Sequence, residues 1–356
     1  MTEKLMKGNE ALGVAAIIGG CRHYFGYPIT PQSELMECMA RELDKVGGTF
    51  LQAESEVAAI SMVYGAAAAG SRVLISSSSP GIALMQEGIS YLAAAQLPCV
   101  IVNVSRGGPG LGNIQPSQAD YYQNTKGGGN GDYRTIVYAP ESIQEAADVM
   151  IKAFDIADRY RNPVIISADG MLGQMMEPVD LMTPVKEKRM ECKSWALTGT
   201  RRRREKNIIT TLYLNAEELE GKNKELKKKY DLIEKNETRY ELYNMKKPVF
   251  IVAAYGTMAR IVRSAIEILK NEGIEVGLVR PISLWPFPNK AFEGLPDGVK
   301  GIAGIEMSMG QMIDDVKIAN NGRLPVFFYG RTGGMVPTQV EIAKWLKCVI
   351  EGVENN

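Results

Sequence analysis

Short, almost wholly apolar runs alternate along this chain with stretches in which apolar residues recur every third or fourth position, the pattern of strands and helices in turn. Leu12, Val14, Ala15 and Ile18, set among small residues, predict a tightly packed helix over 8–19 that Gly19-Gly20 ends. Tyr24 and Phe25 predict a strand, and Leu35, Met36, Met39 and Leu43 the helix after it. A strand is expected over 49–51 and a helix over 56–69, with Val57, Ile60 and Tyr64 as its buried stripe. The rest of that helix is mostly alanine and glycine, a surface that another backbone can approach closely. Residues 72–77 read as the next strand, and Ile82, Met85, Ile89 and Leu92 as a buried helical stripe. A continuous apolar strand over 98–104 fits a sheet covered on both faces, and 135–138, 141–159 and 163–168 add strand, helix and strand. Alternation of this kind predicts a doubly wound parallel sheet.

The rhythm breaks at about 181. Basic runs at Arg201 to Arg204 and Lys227 to Lys229 appear, and Leu219, Leu226, Tyr230, Ile233 and Tyr240 predict one long amphipathic helix able to lie on a partner surface. Acidic residues are mixed in and no aromatic stacking pattern accompanies the arginines, so a solvated connector is favoured over a phosphate or nucleic-acid site. From Pro248 four apolar strands follow, at 249–253, 274–279, 300–305 and 325–329, with helical patterns between them and a last helix through Trp345. The expected organisation is an α/β domain over 1–180, a charged, partly helical connector over 181–247 and a smaller α/β domain over 248–356.

With 356 residues, 45% of them apolar, both domains can bury a core, and a formal net charge of zero gives no overall field to recruit nucleic acid or an anionic membrane. No run approaches the ~20 apolar residues of a membrane span, and the opening Met-Thr-Glu-Lys lacks an apolar signal core, so a cytoplasmic location is expected. The five cysteines are scattered without a C-x-x-C pair, which argues against a disulfide framework, a zinc site or an iron–sulfur cluster held by this chain alone. His23 is the only histidine, and no nucleophile-elbow sequence is present, which leaves a hydrolase reading without support. The glycine fingerprints of dinucleotide and phosphate-loop sites are also missing.

Candidate chemistry gathers at strand ends. In Gly26-Tyr27-Pro28-Ile29-Thr30-Pro31 two prolines stiffen a strand-to-helix turn, with Thr30 expected as the helix cap and Pro31 as its first residue. A parallel sheet brings to the same edge Tyr27 to Thr30, Glu54 or Glu56, Ser76 to Ser79, and Arg106. That set offers hydroxyls, a guanidinium fork and a carboxylate at a helix start, with no metal cluster. It suits a small anionic substrate and a cofactor that carries the chemistry itself. A long loop rich in Gly, Asn and Gln runs from Ser105 to Asp132, and loops of that length are usually functional.

Taken in order, Gly8-Asn9-Glu10-Ala11, Gly26 to Pro31, Glu54-Ser55-Glu56-Val57-Ala58-Ala59-Ile60, Ser79-Pro80-Gly81, Leu84-Met85-Gln86-Glu87-Gly88 and Asn103-Val104-Ser105-Arg106-Gly107-Gly108-Pro109 resemble the α subunit of 2-oxoacid:ferredoxin oxidoreductases. Glu306 to Gln311 and Gly330 to Gly334 carry the resemblance through the second domain. The opening Gly-Asn-Glu-Ala, the run over 127–134 and the charged connector resemble the branched-chain type, which acts on 2-oxoisovalerate (3-methyl-2-oxobutanoate).

The resemblance implies a pyrimidine-type thiamine-diphosphate-binding domain, α/β and doubly wound, followed by a transketolase C-terminal-like α/β domain. It implies coenzyme A-dependent oxidative decarboxylation of a 2-oxoacid to acyl-CoA and CO2, with ferredoxin as electron acceptor. By the same resemblance Glu56 is the catalytic carboxylate that hydrogen-bonds N1′ of the aminopyrimidine. Tyr27, Pro28, Ile29 and Ser79 join it in binding the cofactor, and Thr30 and Arg106 hold the substrate. Asn130 stands where related α subunits often carry histidine. The Gly-Asp-Gly turn and downstream Asn that hold the diphosphate and magnesium are missing, so Mg and iron–sulfur clusters are expected in partner subunits only. Thiamine diphosphate is then shared with a β subunit, with γ and ferredoxin-like subunits completing a dimer of hetero-oligomers, and the isolated chain is expected to be inactive. The alternatives are the same reaction on 2-oxoglutarate or pyruvate, a subunit of an NAD-linked thiamine-dependent dehydrogenase, and a non-catalytic scaffold.

Overall fold

The structure, a computed structural model, describes residues 3–181, 193–200 and 202–354. It begins with β1 (Lys4–Lys7) and α1 (Gly8–Ile18), then β2 (His23–Gly26), α2 (Ser33–Glu42), β3 (Thr49–Gln52), α3 (Glu56–Ala68), β4 (Val73–Ser77), α4 (Ser79–Ala94) and β5 (Val100–Ser105). A short α5 (Tyr121–Thr125) interrupts the glycine-rich loop before β6 (Ile136–Tyr138), α6 (Ile143–Tyr160), β7 (Val164–Asp169), α7 (Gly170–Gln174) and β8 (Met176–Val179), which pairs with β1. Every residue of β4, β5 and β6 is buried, as strands covered on both faces must be.

Six of these strands run parallel in the order β6-β7-β5-β4-β2-β3. After β3 at one edge the chain crosses back to lay β4 on the other side of β2. The carboxyl ends of β2 and β4 therefore flank a topological switch point, the crevice where open α/β sheets bind ligands. On α3 the buried row is Glu56, Ala59, Ile60, Val63, Ala67 and Ala68, while Val57, expected in the core, is 50% exposed. Small residues take the inner face because α4 lies close against it: a Cβ on Gly88 would sit 2.6 Å from Ile60.

The stripe of α8 (Ala216–Glu237) lies on this chain's own first domain. Leu226, Tyr230 and Ile233 are buried, Leu219 is exposed, and Glu237, 2% exposed, accepts hydrogen bonds from the hydroxyls of Tyr138 (2.9 Å) and Tyr160 (3.0 Å). Upstream, Leu197 N–H donates to the carbonyl of Ala68 (2.8 Å), and the Arg161 guanidinium lies 4.5 Å from the centre of the Trp195 ring. Arg202, Arg203 and Arg204 are exposed, whereas Arg201 and Cys192 lie outside the described residues. Tyr240, expected on the amphipathic helix, instead opens β9 (Tyr240–Tyr243), because Thr238 leaves helical geometry at the C-cap.

The remaining elements are β10 (Phe250–Ala253), α9 (Gly256–Asn271), β11 (Val276–Pro281), β12 (Ser283–Trp285), β13 (Ile302–Glu306), α10 (Met312–Asn320), β14 (Val326–Gly330) and α11 (Gln339–Glu354). The second sheet has the order β14-β13-β10-β11-β9, parallel except for β9. The two α/β units interleave: β12 leaves the second and pairs antiparallel with β6, giving the first sheet seven strands. Arg280 of β11, 4% exposed, forks onto Glu145 of α6 (2.8 Å to each oxygen) and also reaches Glu241 of β9 (3.0 Å), a charge network across the junction. No helix of the described residues is long and apolar enough to cross a membrane.

Candidate active site

The turn leaving β2 is held from inside the sheet. Ser76 Oγ donates to Gln32 Oε1 (2.6 Å) and shares a hydrogen bond with the Tyr24 hydroxyl (2.7 Å), all three residues being buried. Thr30 is not the helix cap and Pro31 is not its first residue, since α2 starts at Ser33. The carbonyl of Pro31 turns away to accept from Asn9 Nδ2 (2.7 Å) and Gln174 Nε2 (3.1 Å), and helical bonding begins one residue later, from Leu35 N–H to Gln32 O (3.0 Å). The turn therefore stands out of the sheet, with Tyr27, Pro28 and Thr30 exposed and Ile29 half-buried.

Arg106, Thr30 and Ser79 are joined. Arg106 Nη1 donates to the backbone carbonyl of Thr30 (2.9 Å) and Nη2 to that of Leu111 (3.0 Å), while its Nε is buried without a partner among the described residues. The Arg106 N–H donates to Ser79 Oγ (3.0 Å), and Ser79 donates in turn to Asp120 Oδ2 (2.6 Å), which also accepts from Asn103 Nδ2 (2.9 Å). Thr30's own hydroxyl has no hydrogen-bond partner among the described residues. The Ser79 hydroxyl, expected to contact the cofactor, is instead engaged by Asp120 and the Arg106 N–H.

Glu56 occupies a different environment from Glu54. Glu54 is exposed and accepts from Ser55 Oγ (3.0 Å), whereas Glu56 is 6% exposed at the first position of α3, which Ser55 caps through Ala58 N–H (3.2 Å). The helix start favours a negative charge there. The Glu56 carboxylate has no hydrogen-bond or ion-pair partner among the described residues, although the residue is only 6% exposed. It faces Gly81 in the first turn of α4: a Cβ on Gly81 would lie 2.5 Å from Glu56 Oε1 and would overlap Ser77 Oγ. The hydroxyls of Ser77 and Ser78 are also buried, without partners among the described residues. The site thus brings together a carboxylate and hydroxyls that have no partner among the described residues, packed around a glycine, a set that can accept from and donate to the amino and ring nitrogens of a heteroaromatic group.

The long loop is fixed rather than loose. Gly107 N–H donates to Gln115 O (2.9 Å), and Asn113 Nδ2 donates to Gly333 O (2.9 Å), tying the loop to the Gly330 to Gly334 segment. Gln118 bridges to the second domain by donating to Tyr255 O (2.9 Å) and accepting from Met307 N–H (3.0 Å). Farther on, Gly128 N–H donates to Gln86 Oε1 (2.9 Å), and a Cβ on Gly129 would sit 2.6 Å from Ser90 Cβ, so these glycines are there for close approach to α4. Asn130 is exposed and accepts from Ser90 Oγ (3.2 Å). A cleft of about 620 Å³ opens beside Thr30, lined by Ile114, Met171, Met175 and Val336 among others. His23 begins β2 and so sits at the opposite end of the strand from the site. Burial lowers its pKa. Among the described residues no group of three or more His, Cys, Asp and Glu could hold a metal ion.

Gln32, Ser77, Gln118 and Asp120 are the members of this site that the sequence reading did not single out. Ser77 lay within the serine run already noted at the end of β4. The other three carried no local signal, because their partners are distant in sequence.

Comparison with known proteins bears on the family and the fold. The family described as pyruvate flavodoxin/ferredoxin oxidoreductase, thiamine-diphosphate-binding, matches residues 14–245, and pyruvate:ferredoxin oxidoreductase core domain II matches 249–342. The chain is 50% identical over 334 residues to the ketoisovalerate oxidoreductase subunit VorB of Methanothermobacter marburgensis, covering 94% of each chain. It is 33% identical over 370 residues to the 2-oxoglutarate synthase subunit KorA of Methanocaldococcus jannaschii, covering 97% of this chain and 99% of that one. In structure it is similar to a 2-oxoglutarate:ferredoxin oxidoreductase from Magnetococcus marinus, solved with 2-oxoglutarate, coenzyme A and succinyl-CoA bound, at a TM-score of 0.87 and 26% identity, spanning 98% of this chain and 65% of that one. A split-gene transketolase shares the fold at a TM-score of 0.62 and 15% identity, over 97% of this chain and 98% of that one. With a bare buried glutamate at a switch-point crevice and both of its α/β units matched in order, the chain belongs to the 2-oxoacid:ferredoxin oxidoreductase family.

Proposed function

We propose that this chain is the subunit of a branched-chain 2-oxoacid:ferredoxin oxidoreductase that binds the aminopyrimidine half of thiamine diphosphate and takes 3-methyl-2-oxobutanoate as its 2-oxoacid. Coenzyme A is the acyl acceptor and ferredoxin the electron acceptor. The observation that carries the reading is Glu56, 6% exposed at the start of α3, whose carboxylate has no partner among the described residues and packs against Gly81, where no side chain could fit. Thiamine diphosphate, when bound, supplies the carbon nucleophile and electron sink that decarboxylation of a 2-oxoacid needs. Glu56 holds the N1′ position through a charge-assisted hydrogen bond, strengthened by burial. Tyr27, Pro28 and Ile29 form the outer wall of that site. Thr30 offers its free hydroxyl to the substrate's carboxylate or carbonyl. Arg106, steadied by two backbone carbonyls, offers its remaining N–H groups to the carboxylate.

Two observations support the branched-chain substrate. The relative at 50% identity carries the ketoisovalerate name, and none of the residues lining the cleft beside Thr30 is cationic, whereas 2-oxoglutarate calls for a second cation. The sequence has no Gly-Asp-Gly diphosphate turn and the described residues hold no metal cluster, which supports a β subunit that brings the diphosphate and Mg, with iron–sulfur clusters in γ and ferredoxin-like partners. Co-expression with those partners and a panel of oxoacids with viologen dye tests the reading. 3-Methyl-2-oxobutanoate is expected to be preferred, the lone chain to be inactive, and Glu56→Gln to lose most turnover. Preference for 2-oxoglutarate overturns the substrate assignment, and robust activity of the lone chain overturns the shared cofactor.

A further inference from the structure

We infer that Ser77 is a positioning residue for Glu56, its hydroxyl donating to one carboxylate oxygen so that the other is presented to the cofactor's ring nitrogen. The inference rests on the reading of Glu56 given above. Four serines stand in a row at the end of β4, and their hydroxyls have different fates. Ser76 is taken by Gln32 and Tyr24, and Ser79 by Asp120 and the Arg106 N–H. Ser77 and Ser78 have no partner among the described residues, although both are fully buried. Ser77 is the one that Gly81 sets beside Glu56: the point that a Cβ on Gly81 would occupy lies against both Ser77 Oγ (2.0 Å) and Glu56 Oε1 (2.5 Å). The two oxygens come from different elements, the last residue of β4 and the first of α3, and both face the space over Gly81.

Their chemistry is complementary. An ionised carboxylate only accepts, a serine hydroxyl has one proton to donate, and a buried hydroxyl left unpaired is costly. Rotation about the single χ1 of Ser77 is a small motion, and a bond made that way restricts the rotation of the carboxylate. The remaining oxygen is then held for a donor that none of the described residues supplies. Gly81 lets the two oxygens lie this close to one point, since a side chain there would displace both of them.

A double-mutant cycle on the reconstituted complex tests this, using wild type, Ser77→Ala, Glu56→Gln and the double variant. The readouts are the equilibrium affinity for thiamine diphosphate with magnesium, followed by quenching of intrinsic fluorescence, and the hydrogen–deuterium exchange rate at thiazolium C2, followed by NMR. Ser77→Ala is expected to lower affinity or exchange by about tenfold, the loss that one hydrogen bond to a charged group predicts, with the thermal midpoint and the oxoacid KM unchanged. In the Glu56→Gln background the same substitution is expected to change neither readout. If Ser77→Ala matches wild type while Glu56→Gln is defective, the inference fails and the Glu56 reading stands. Additive losses in the double variant also overturn it, since Ser77 would then act without Glu56. If Glu56→Gln itself keeps affinity and exchange, the Glu56 reading falls and takes this inference with it.

Discussion

Arg106 donates from Nη1 to the backbone carbonyl of Thr30 across 2.9 Å, so the two residues proposed to hold the substrate form one mechanical unit. The guanidinium serves Thr30 and Leu111 at once, which a lysine ammonium on a flexible stem cannot do from the same position. Arg106→Lys is therefore expected to lower kcat/KM for the oxoacid by at least about tenfold in the reconstituted enzyme, the equivalent of one lost charged hydrogen bond. Unchanged steady-state kinetics would show that the fork is dispensable.

Gly81→Ala places a methyl group against Ser77 Oγ and Glu56 Oε1. Overpacking of this kind costs about 1–3 kcal/mol, and here the displaced atoms are the proposed cofactor contacts. Both the thermal midpoint and thiamine diphosphate affinity are expected to fall. Gly65→Ala is the control: nothing lies within 4 Å of its added Cβ, and removing a helix-interior glycine is expected to stabilise the isolated chain by about 0.5–1 kcal/mol. A fall in cofactor affinity equal in both variants would refute the local explanation.

Gln118→Ala removes the bridge from the loop to Tyr255 O and Met307 N–H and leaves a buried donor unpaired. The expected cost is about 2–3 kcal/mol in chemical denaturation. A loss below about 0.5 kcal/mol would mean that water or a neighbour takes over the bonds.

Burial, and then the nearby Arg161 guanidinium, push the Lys229 ammonium down to about 7. Its Nζ donates to the Arg161 carbonyl (3.3 Å) where α8 docks on the first domain. The unfolded chain keeps that proton to about 10.5, so between 7 and 10.5 the unfolded state binds more protons and stability contributed by this group rises with pH. Lys229→Met is expected to melt higher than wild type at pH 7 and below, with the gap closing as pH approaches 10.5. Thermal melts across that range check it, and a gap independent of pH would refute it.

Much of the architecture was legible because strands covered on both faces admit few polar residues, as in β4 and β5. The inner face of α3 was misread because its packing is done by alanines, which a search for large apolar residues passes over. The cap at Thr30 was misread because the Pro31 carbonyl is claimed by Asn9 and Gln174, 22 and 143 residues away. Glu56 was separable from Glu54 only through the resemblance of the surrounding residues, since local sequence assigns both to a helix start. That Ser77 stands unpaired depends on where α4 begins, and no pattern within the serine run reports it. The strand β12 was missed altogether, being three residues long with its partners in β6 far upstream.

That last strand fixes the order in which the molecule can be completed. The first sheet receives its seventh strand from residues that follow β11, when most of the second sheet's central strands already exist. A nascent chain that has emerged only as far as residue 247 holds β6 as an open edge, with Val137 and Tyr138 waiting for Trp285 and Ser283. Separate expression of the two halves would strand that edge on one piece and its cover on the other. The gene therefore cannot be cut at the compositional boundary without exposing a sheet edge prone to pair with another chain.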